Sequence, residues 1–232
     1  VQFDFPDAQG RPYKSGGGAM VWNDTLKREI PEGWEVGPLG KWLSFQRGIS
    51  YRAAEIGDEG TPLINLNSFW LDGSVKLDGT KQYSGKFRDD QRVRPGDLVI
   101  AITDVTRNAD ITGRAFVVPD LFGESPLISC DVAGVHGQPH LPAHYLERLF
   151  NSEHYHNYLR PFASGTLVLH LNLDGVRWFE SFLPPRSLLD KYEAVAVAAR
   201  SQVNANLVQN RELTQLRDWL LPLLMNGQVR VA

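Results

Sequence analysis

The chain of 232 residues has very little cysteine, with Cys130 as its single thiol. One cysteine excludes an internal disulfide and a cysteine-rich zinc module, and it is typical of a reducing compartment, so we expect the protein in the cytoplasm. No apolar run approaches the roughly 20 residues that a membrane helix needs, and the polar residues 1–10 lack the layout of a signal peptide. The sequence therefore predicts neither a membrane-spanning nor a secreted protein.

Sequence motifs of common enzymes are also missing. The patterns GxxxxGK[ST], GxGxxG and GxSxG do not occur, and the glycine run 16–18 follows no predicted strand. No lysine has Asp or Glu two positions before it, unlike the acidic-x-Lys triplet of many metal-dependent nucleases. The double proline, Pro184-Pro185, follows Leu183, whereas amino-methyltransferases need Asn or Asp there. We therefore expect no catalytic apparatus in this chain.

Metal-ligating and nucleophilic residues are equally sparse. His140 and His144 stand four positions apart, but Leu141 replaces the glutamate of HExxH and nearby prolines oppose a helix. We expect two surface histidines and no metal site. Cys130 lies between Ile128 and Val132 in a predicted strand, which favours a buried, inert thiol.

The charge gives no general attraction for nucleic acid. The formal net charge is −3, and the contents of 42% hydrophobic and 22% charged residues are those of an ordinary globular protein. Any DNA binding must then come from a local patch or from a partner's surface. The most basic region is offset by Asp78, Asp89 and Asp90, so it suits a solvated face as well as a phosphate track; its cations are Lys76, Lys81, Lys86, Arg88, Arg92 and Arg94.

The pattern of residues divides the chain into three parts. Residues 1–30 have prolines and glycines without an apolar period and are predicted to be a connector; the start at Val1 favours a fragment of a longer protein. Residues 31–185 alternate short apolar runs with turn signals, which predicts a mixed α and β domain. The predicted strands are Pro62 to Asn67, Asp97 to Thr103, Ala115 to Val118, Leu127 to Ala133 and Thr166 to Leu171, with a helix over Ala143 to Leu159.

Residues 186–232 are predicted to form one long helix. Ser187 is the expected N-cap, with Asp190 three positions on, and no Gly or Pro follows until Pro222. A helix from Ser187 to about Leu221 would be roughly 50 Å long. Packing against its own domain is one interpretation, but the length favours a coiled-coil arm. The apolar or small stripe consists of Tyr192, Val195, Ala199, Val203, Leu207, Asn210, Leu213, Leu216, Leu220 and Leu224.

Three polar segments lie beside predicted strands. They are QRGISYR at 46–52, TDVTRN at 103–108, and a group from Ser164 to Asn172. Arg can bind guanine, Asn or Gln can bind adenine, and hydroxyls can bind phosphate. Solvated connecting loops have the same composition, so these segments alone do not establish DNA binding.

The order of short motifs is more specific. IPEGW at 30–34, FQRG at 45–48, PLINLN at 62–67, PGDLVIAITD at 95–104, GRAFVVP at 113–119, ASGTLVLHLN at 163–172, FLPP at 182–185 and LRDWLLPLLMNGQVRV at 216–231 follow one another. This order closely resembles a target recognition domain plus conserved helix of the specificity subunit of type I restriction-modification enzymes. The stretch FDFPDAQGRPYKSGGGAMVW at 3–22 is similar to the segment before such a domain. The sequence departs from the family at Arg186-Ser187-Leu188, where a Glu-Gln pair is common.

The resemblance implies an α+β fold, in which a mixed globular recognition domain is followed by one long helix that forms a coiled-coil arm. It implies one half of a non-catalytic subunit that reads part of a split target in double-stranded DNA. The implied partners are methyltransferase subunits, which bind S-adenosylmethionine, the motor-nuclease subunit through the complex, and a second recognition half or a second copy along the helix. No cofactor is expected in this chain.

The resemblance and the polar segments together predict which residues contact DNA. The first group is Arg47, Ser50, Tyr51, Arg52, Thr106, Arg107 and Asn108, and the second is Thr103, Ser164, Thr166 and His170. Two other classes of function stay open at this point. One is a helical scaffold or adaptor that assembles partners without reading DNA, and the other is a free-standing DNA-modifying enzyme, which the missing motifs disfavour.

Overall fold

The computed structural model describes residues 3–139 and 141–228. In this part the chain has an α+β fold, as predicted, with short strands, three short α-helices and one long α-helix. The strands are β1 Met20–Asn23, β2 Arg28–Pro31, β3 Glu35–Pro38, β4 Leu43–Arg47, β5 Ile56–Gly57, β6 Thr61–Ile64, β7 Lys81–Tyr83, β8 Leu98–Ala101, β9 Thr103–Asp104, β10 Ala115–Val117, β11 Leu127–Ile128, β12 Val132–Gly137, β13 Ala163–Ser164, β14 Leu169–Leu171 and β15 Glu180–Leu183. The helices are α1 Ala143–Phe150, α2 Glu153–Leu159, α3 Leu173–Trp178 and α4 Arg186–Met225.

The main sheet is antiparallel, with strand order β10-β8-β12-β4. Its central strand β8 is buried on both faces, because Leu98 and Ile100 pack in the core on the α1 side while Val99 and Ala101 pack in a second core. Side chains alternate between the two faces of a strand, so a continuous apolar run satisfies both cores. This explains why 98–101 carry no polar residue.

A second sheet has the strand order β11-β6-β7-β5. One continuous stretch of chain contributes β11 to this sheet and β12 to the main sheet. The predicted strand Leu127 to Ala133 is in fact two strands, because the chain bends at 129–131 and moves from one sheet to the other. Cys130 lies in this bend and is exposed, so the prediction of a buried thiol is wrong. Partial burial of the sulfur and the carboxylate of Asp131 raise the pKa of Cys130, which keeps the thiol protonated.

The predicted helix Ala143 to Leu159 is interrupted at Asn151. The Asn151 side chain bonds the backbone of Ala115 in β10, accepting at 3.0 Å and donating at 2.7 Å. Ser152 then caps α2, with its hydroxyl accepting from the Tyr155 amide at 3.3 Å. The Tyr155 amide thus bonds the Ser152 hydroxyl, and the Asn151 carbonyl that it would bond in a continuous helix accepts from Arg114 instead, so one helix becomes two.

The N-terminal segment carries regular structure although it was predicted to be a connector. β1 and β2 pair as an antiparallel hairpin, and Phe3 is buried with its ring edge against Trp34 and Phe182. Strand β3 pairs with β15, the last strand before α4. This pairing joins the beginning and the end of the domain. The boundaries 1–30, 31–185 and 186–232 stay a prediction.

Helix α4 has 40 residues and is therefore about 60 Å long. Its N-cap is Pro185 and no side chain caps it, so the prediction of Ser187 as the N-cap is wrong. The helix continues through Pro222 and ends at Met225. None of the described helices combines the length and the apolar character that crossing a membrane requires.

Candidate nucleic-acid interface and assembly helix

Two of the three polar segments leave the main sheet at the same edge. Strand β4 ends at Arg47 and β8 ends at Ala101, while β12 begins at Val132 between them. The register pairs Arg47 with Ala133, and Val132 with Ala101. The chain after β4 and the chain after β8 therefore emerge on either side of the start of β12.

The third polar segment joins them through a three-stranded sheet of order β13-β14-β9. In its register His170 of β14 lies between Thr103 of β9 and Ser164 of β13. We call the surface formed by residues 47–52, 103–108 and 164–170 the candidate interface. The fold thus brings together segments that are more than 100 positions apart in the chain.

The bend at 129–131 connects the segments by hydrogen bonds. The Cys130 amide donates to the Ile49 carbonyl at 2.6 Å, and the Ile102 amide donates to the Asp131 carbonyl at 2.9 Å. The Thr103 hydroxyl donates to the Asp131 carboxylate at 3.0 Å. Thr103 is only 3% exposed, so its side chain is buried beneath the candidate interface. This position is contrary to the expectation that Thr103 contacts DNA.

Asp104 organises the loop that carries Thr106, Arg107 and Asn108. Its carboxylate is fully buried and accepts backbone N–H bonds from Thr106 at 2.6 Å, from Ile111 at 2.6 Å and from Thr112 at 2.9 Å. Sequence reasoning missed this role. The available signal was an Asp directly after a strand and two positions before a Thr, which is the pattern of an Asx turn.

Two contacts join the chain after this loop to the residues on either side of α2. Asp110 lies 3.6 Å from Arg160, and Arg114 donates to the Asn151 carbonyl at 2.9 Å. His156 is buried behind these groups, and neither of its ring nitrogens has a hydrogen-bond partner among the described residues. Burial lowers the pKa of His156, and the charges of Arg114 and Arg160 lower it further, so the ring is neutral there.

Most of the predicted contact residues face solvent. Tyr51 and Thr106 are half-buried: the Tyr51 hydroxyl accepts from Lys81 at 2.8 Å, and the Thr106 hydroxyl accepts from the Asp110 amide at 2.9 Å. The exposed residues are Arg47, Ser50, Arg52, Arg107, Asn108, Ser164, Thr166 and His170.

The guanidinium groups of Arg47, Arg52 and Arg107 are exposed on the candidate interface. Among the residues that the structure describes, no carboxylate forms an ion pair with Arg47, Arg52 or Arg107. In the basic region, by contrast, Arg88 pairs with Asp90 and Arg92 approaches Asp89. The candidate interface therefore carries positive charge that can attract an anion.

The first part of α4 packs against its own domain through α1. Arg200 donates to the Glu147 carboxylate at 2.5 Å, and His144 bonds Glu193 at 2.8 Å. The side chain of His144 is only 11% exposed, so the prediction of a surface histidine is wrong for this residue. The other predicted surface histidine, His140, lies outside the described residues. No group of three or more His, Cys, Asp or Glu that could hold a metal occurs in 3–139 and 141–228.

The rest of α4 extends away from the domain and leaves its apolar side chains in solvent. Leu213 is 63% exposed and Trp219, which the predicted stripe did not include, is 64% exposed. The stripe residues Leu207 and Leu220 are half-buried. The remaining stripe residues are exposed, namely Tyr192, Val195, Ala199, Val203, Asn210, Leu213, Leu216 and Leu224. Residues 229–231 of the closing motif lie outside the described part.

Comparison with known protein sequences finds a relative along nearly the whole chain. A specificity subunit of the type I restriction enzyme MjaIX from Methanocaldococcus jannaschii is 23% identical over 220 residues, which are 95% of this chain and 49% of that protein. The chain is similar to one half of a type I specificity subunit. This confirms the resemblance based on the order of motifs. No family model matches the chain.

Solved structures agree with this similarity. The type I specificity subunit of M. genitalium is 14% identical with a TM-score of 0.55, over 80% of this chain and 44% of that one. A chain from a study of complex assembly in the type I system is 20% identical with a TM-score of 0.51, over 84% of this chain and 46% of that one. At such identities the likeness shows the fold. The chain spans about half the length of the type I specificity subunits that it matches.

Proposed function

We propose that the chain is a recognition half of a type I specificity subunit. Its α+β domain reads one part of a split target in double-stranded DNA, and α4 holds the domain in a larger complex. The observation that carries this proposal is the meeting of three polar segments at one edge of the fold, where the guanidinium groups of Arg47, Arg52 and Arg107 form no ion pair with any described residue. Unpaired cations beside hydrogen-bonding side chains are what a phosphate backbone and base edges require.

The chain itself contributes recognition and no chemical step in this proposal. Methyltransferase subunits bind S-adenosylmethionine and transfer the methyl group, and the motor-nuclease subunit associates through the same complex. The similarities support the assignment, because one relative is a specificity subunit of a type I restriction enzyme and one structural neighbour comes from a study of assembly of a type I system. Such a subunit would work in the cytoplasm.

In this proposal the exposed face of α4 packs against a second helix, which belongs either to another recognition half or to a second copy of this chain. In a two-fold pair the Leu213 to Leu224 end of one helix would pack near Tyr192 and Val195 of the other. Two identical recognition domains would then lie at opposite ends of the arm. Their target would be a palindromic split sequence.

The proposal is tested by a gel shift of randomised DNA duplexes with the purified chain, alone and with a methyltransferase subunit. We expect weak binding by the chain alone, because its net charge is −3, and selection of a defined sequence in the presence of the partner. A helical adaptor would bind the partner and select no sequence, which would contradict the proposal. Methyl transfer by the chain alone would also contradict it.

Neutralising Arg47, Arg52 and Arg107 together should weaken site-specific binding strongly. For Arg47→Gln/Arg52→Gln/Arg107→Gln we expect a loss of about 3 kcal/mol or more, which is on the order of 100-fold, because each arginine contributes roughly 1 kcal/mol at least. Affinity of the complex for the selected duplex is the measurement.

The matched control for this variant removes the same charge elsewhere. Arg11→Gln/Arg186→Gln/Arg217→Gln replaces three exposed arginines that pair with neighbouring aspartates outside the candidate interface. We expect affinity close to that of the wild type. Equal losses in the two triple variants would mean that only net charge matters and that the candidate interface is misplaced.

A further inference from the structure

Three exposed apolar residues lie within the polar candidate interface, and we call them the apolar tip. It consists of Val105, Leu167 and Val168, and all three side chains are exposed. Leu167 is 88% exposed, at the turn between β13 and β14, and Val105 is 65% exposed in the loop after β9. An apolar cluster ringed by polar groups is typical of a binding surface.

The backbone presents this tip in a defined position. Gly165 has a φ of +148°, which L side chains rarely adopt, and a Cβ there would clash with the Val168 carbonyl. The register between β14 and β9 ends at the pair Leu169 and Asp104. The turn 165–168 and the loop after Asp104 therefore leave the sheet side by side, and Asp104 holds that loop by three backbone bonds.

The surroundings of the tip match the major groove of DNA. Arg107 and Asn108 follow Val105, and Thr166 and His170 flank Leu167 and Val168 in the chain. The groove exposes hydrogen-bonding edges of all bases and one apolar group, the 5-methyl of thymine. The groove admits a protein element the size of a two-stranded ribbon, and the turn 165–168 joins two paired strands, β13 and β14. The apolar tip lies among hydrogen-bond donors and cations. In the groove a thymine methyl lies among polar base edges and phosphates, so the two surfaces are complementary.

We propose that Leu167, together with Val105, reads the 5-methyl group of a thymine in the recognised half-site. This inference rests on the proposed function and adds the base type that one part of the surface recognises. Uracil differs from thymine only by lacking this methyl group. Recognition by Leu167 therefore makes binding sensitive to deoxyuridine at the contacted position.

The test uses the complex with the methyltransferase subunit and the duplex that it selects from randomised DNA. Each thymine of the selected duplex is replaced in turn by deoxyuridine. For the wild type we expect about 3- to 5-fold weaker binding at one or two positions, the effect of one buried methyl group. The variant Leu167→Ala should bind the thymine duplex about as weakly, and it should lose the response to deoxyuridine at one of those positions.

Leu71→Ala is the matched control, because Leu71 is also an exposed leucine but lies outside the candidate interface. It should keep the wild-type response to deoxyuridine. If Leu167→Ala keeps that response too, or if no thymine of the target responds in the wild type, the inference is overturned while sequence-specific binding stands. If Leu167→Ala weakens assembly with the methyltransferase and leaves DNA affinity unchanged, the tip is a protein contact and the inference is overturned. A wild-type complex that selects no sequence overturns the proposed function itself.

Discussion

Replacing Asp104 by asparagine is expected to destabilise the protein by about 2–4 kcal/mol, because the new amide group must face backbone N–H donors. One carboxylate oxygen accepts from Thr106, and the other accepts from Ile111 and Thr112. Whichever oxygen becomes the NH2 group, at least one buried donor is left without an acceptor. The measurement is urea unfolding followed by tryptophan fluorescence, with the slope of the transition unchanged.

The control for Asp104→Asn is Asp58→Asn, which makes the same chemical change at an exposed position with no hydrogen bond to the rest of the described chain. We expect Asp58→Asn to shift stability by less than about 0.5 kcal/mol. A similarly small shift for Asp104→Asn would contradict the role of this carboxylate. Below its unfolding transition, Asp104→Asn should also lose sequence selectivity, since the loop 105–108 loses its support.

The second large effect is expected on α4. The wild-type chain should form a dimer at micromolar concentration, and Leu213→Asp/Leu220→Asp should raise the dissociation constant by at least about 100-fold. Each buried leucine contributes roughly 1.5–3 kcal/mol, and a two-fold dimer contains each substitution twice. Light scattering gives the mass of the species, and circular dichroism shows whether the helix stays folded.

Arg211→Asp/Gln215→Asp is the control for this variant, since it places two aspartates on the opposite face of the same part of α4. It should leave the dimer intact. A wild-type chain that stays monomeric at high micromolar concentration with a folded helix would rule out self-association. The methyltransferase or a second recognition half would then be the partner of α4.

Local pattern was enough to predict several parts of this protein. The long helix follows from an apolar stripe in steps of three and four and from the absence of Gly and Pro between Ser187 and Pro222. Strands β8 and β10 follow from apolar runs bounded by turn residues. The three polar segments were also visible, because each lies beside such a run. These properties depend on neighbouring residues only, so the sequence itself determines them.

Other properties depend on residues that meet only in the folded chain. The bend at Cys130 arises because β11 and β12 pair in different sheets, and at the break between α1 and α2 the Asn151 side chain bonds Ala115 of β10. His144 is covered because α4 packs over it. Asp104 looked like one more polar loop residue, and its three backbone partners lie two to eight positions away in a loop whose conformation no local period specifies. The sequence determined which segments carry polar side chains, and the tertiary structure decided that they form one surface, because strand order and register set which strand ends are neighbours.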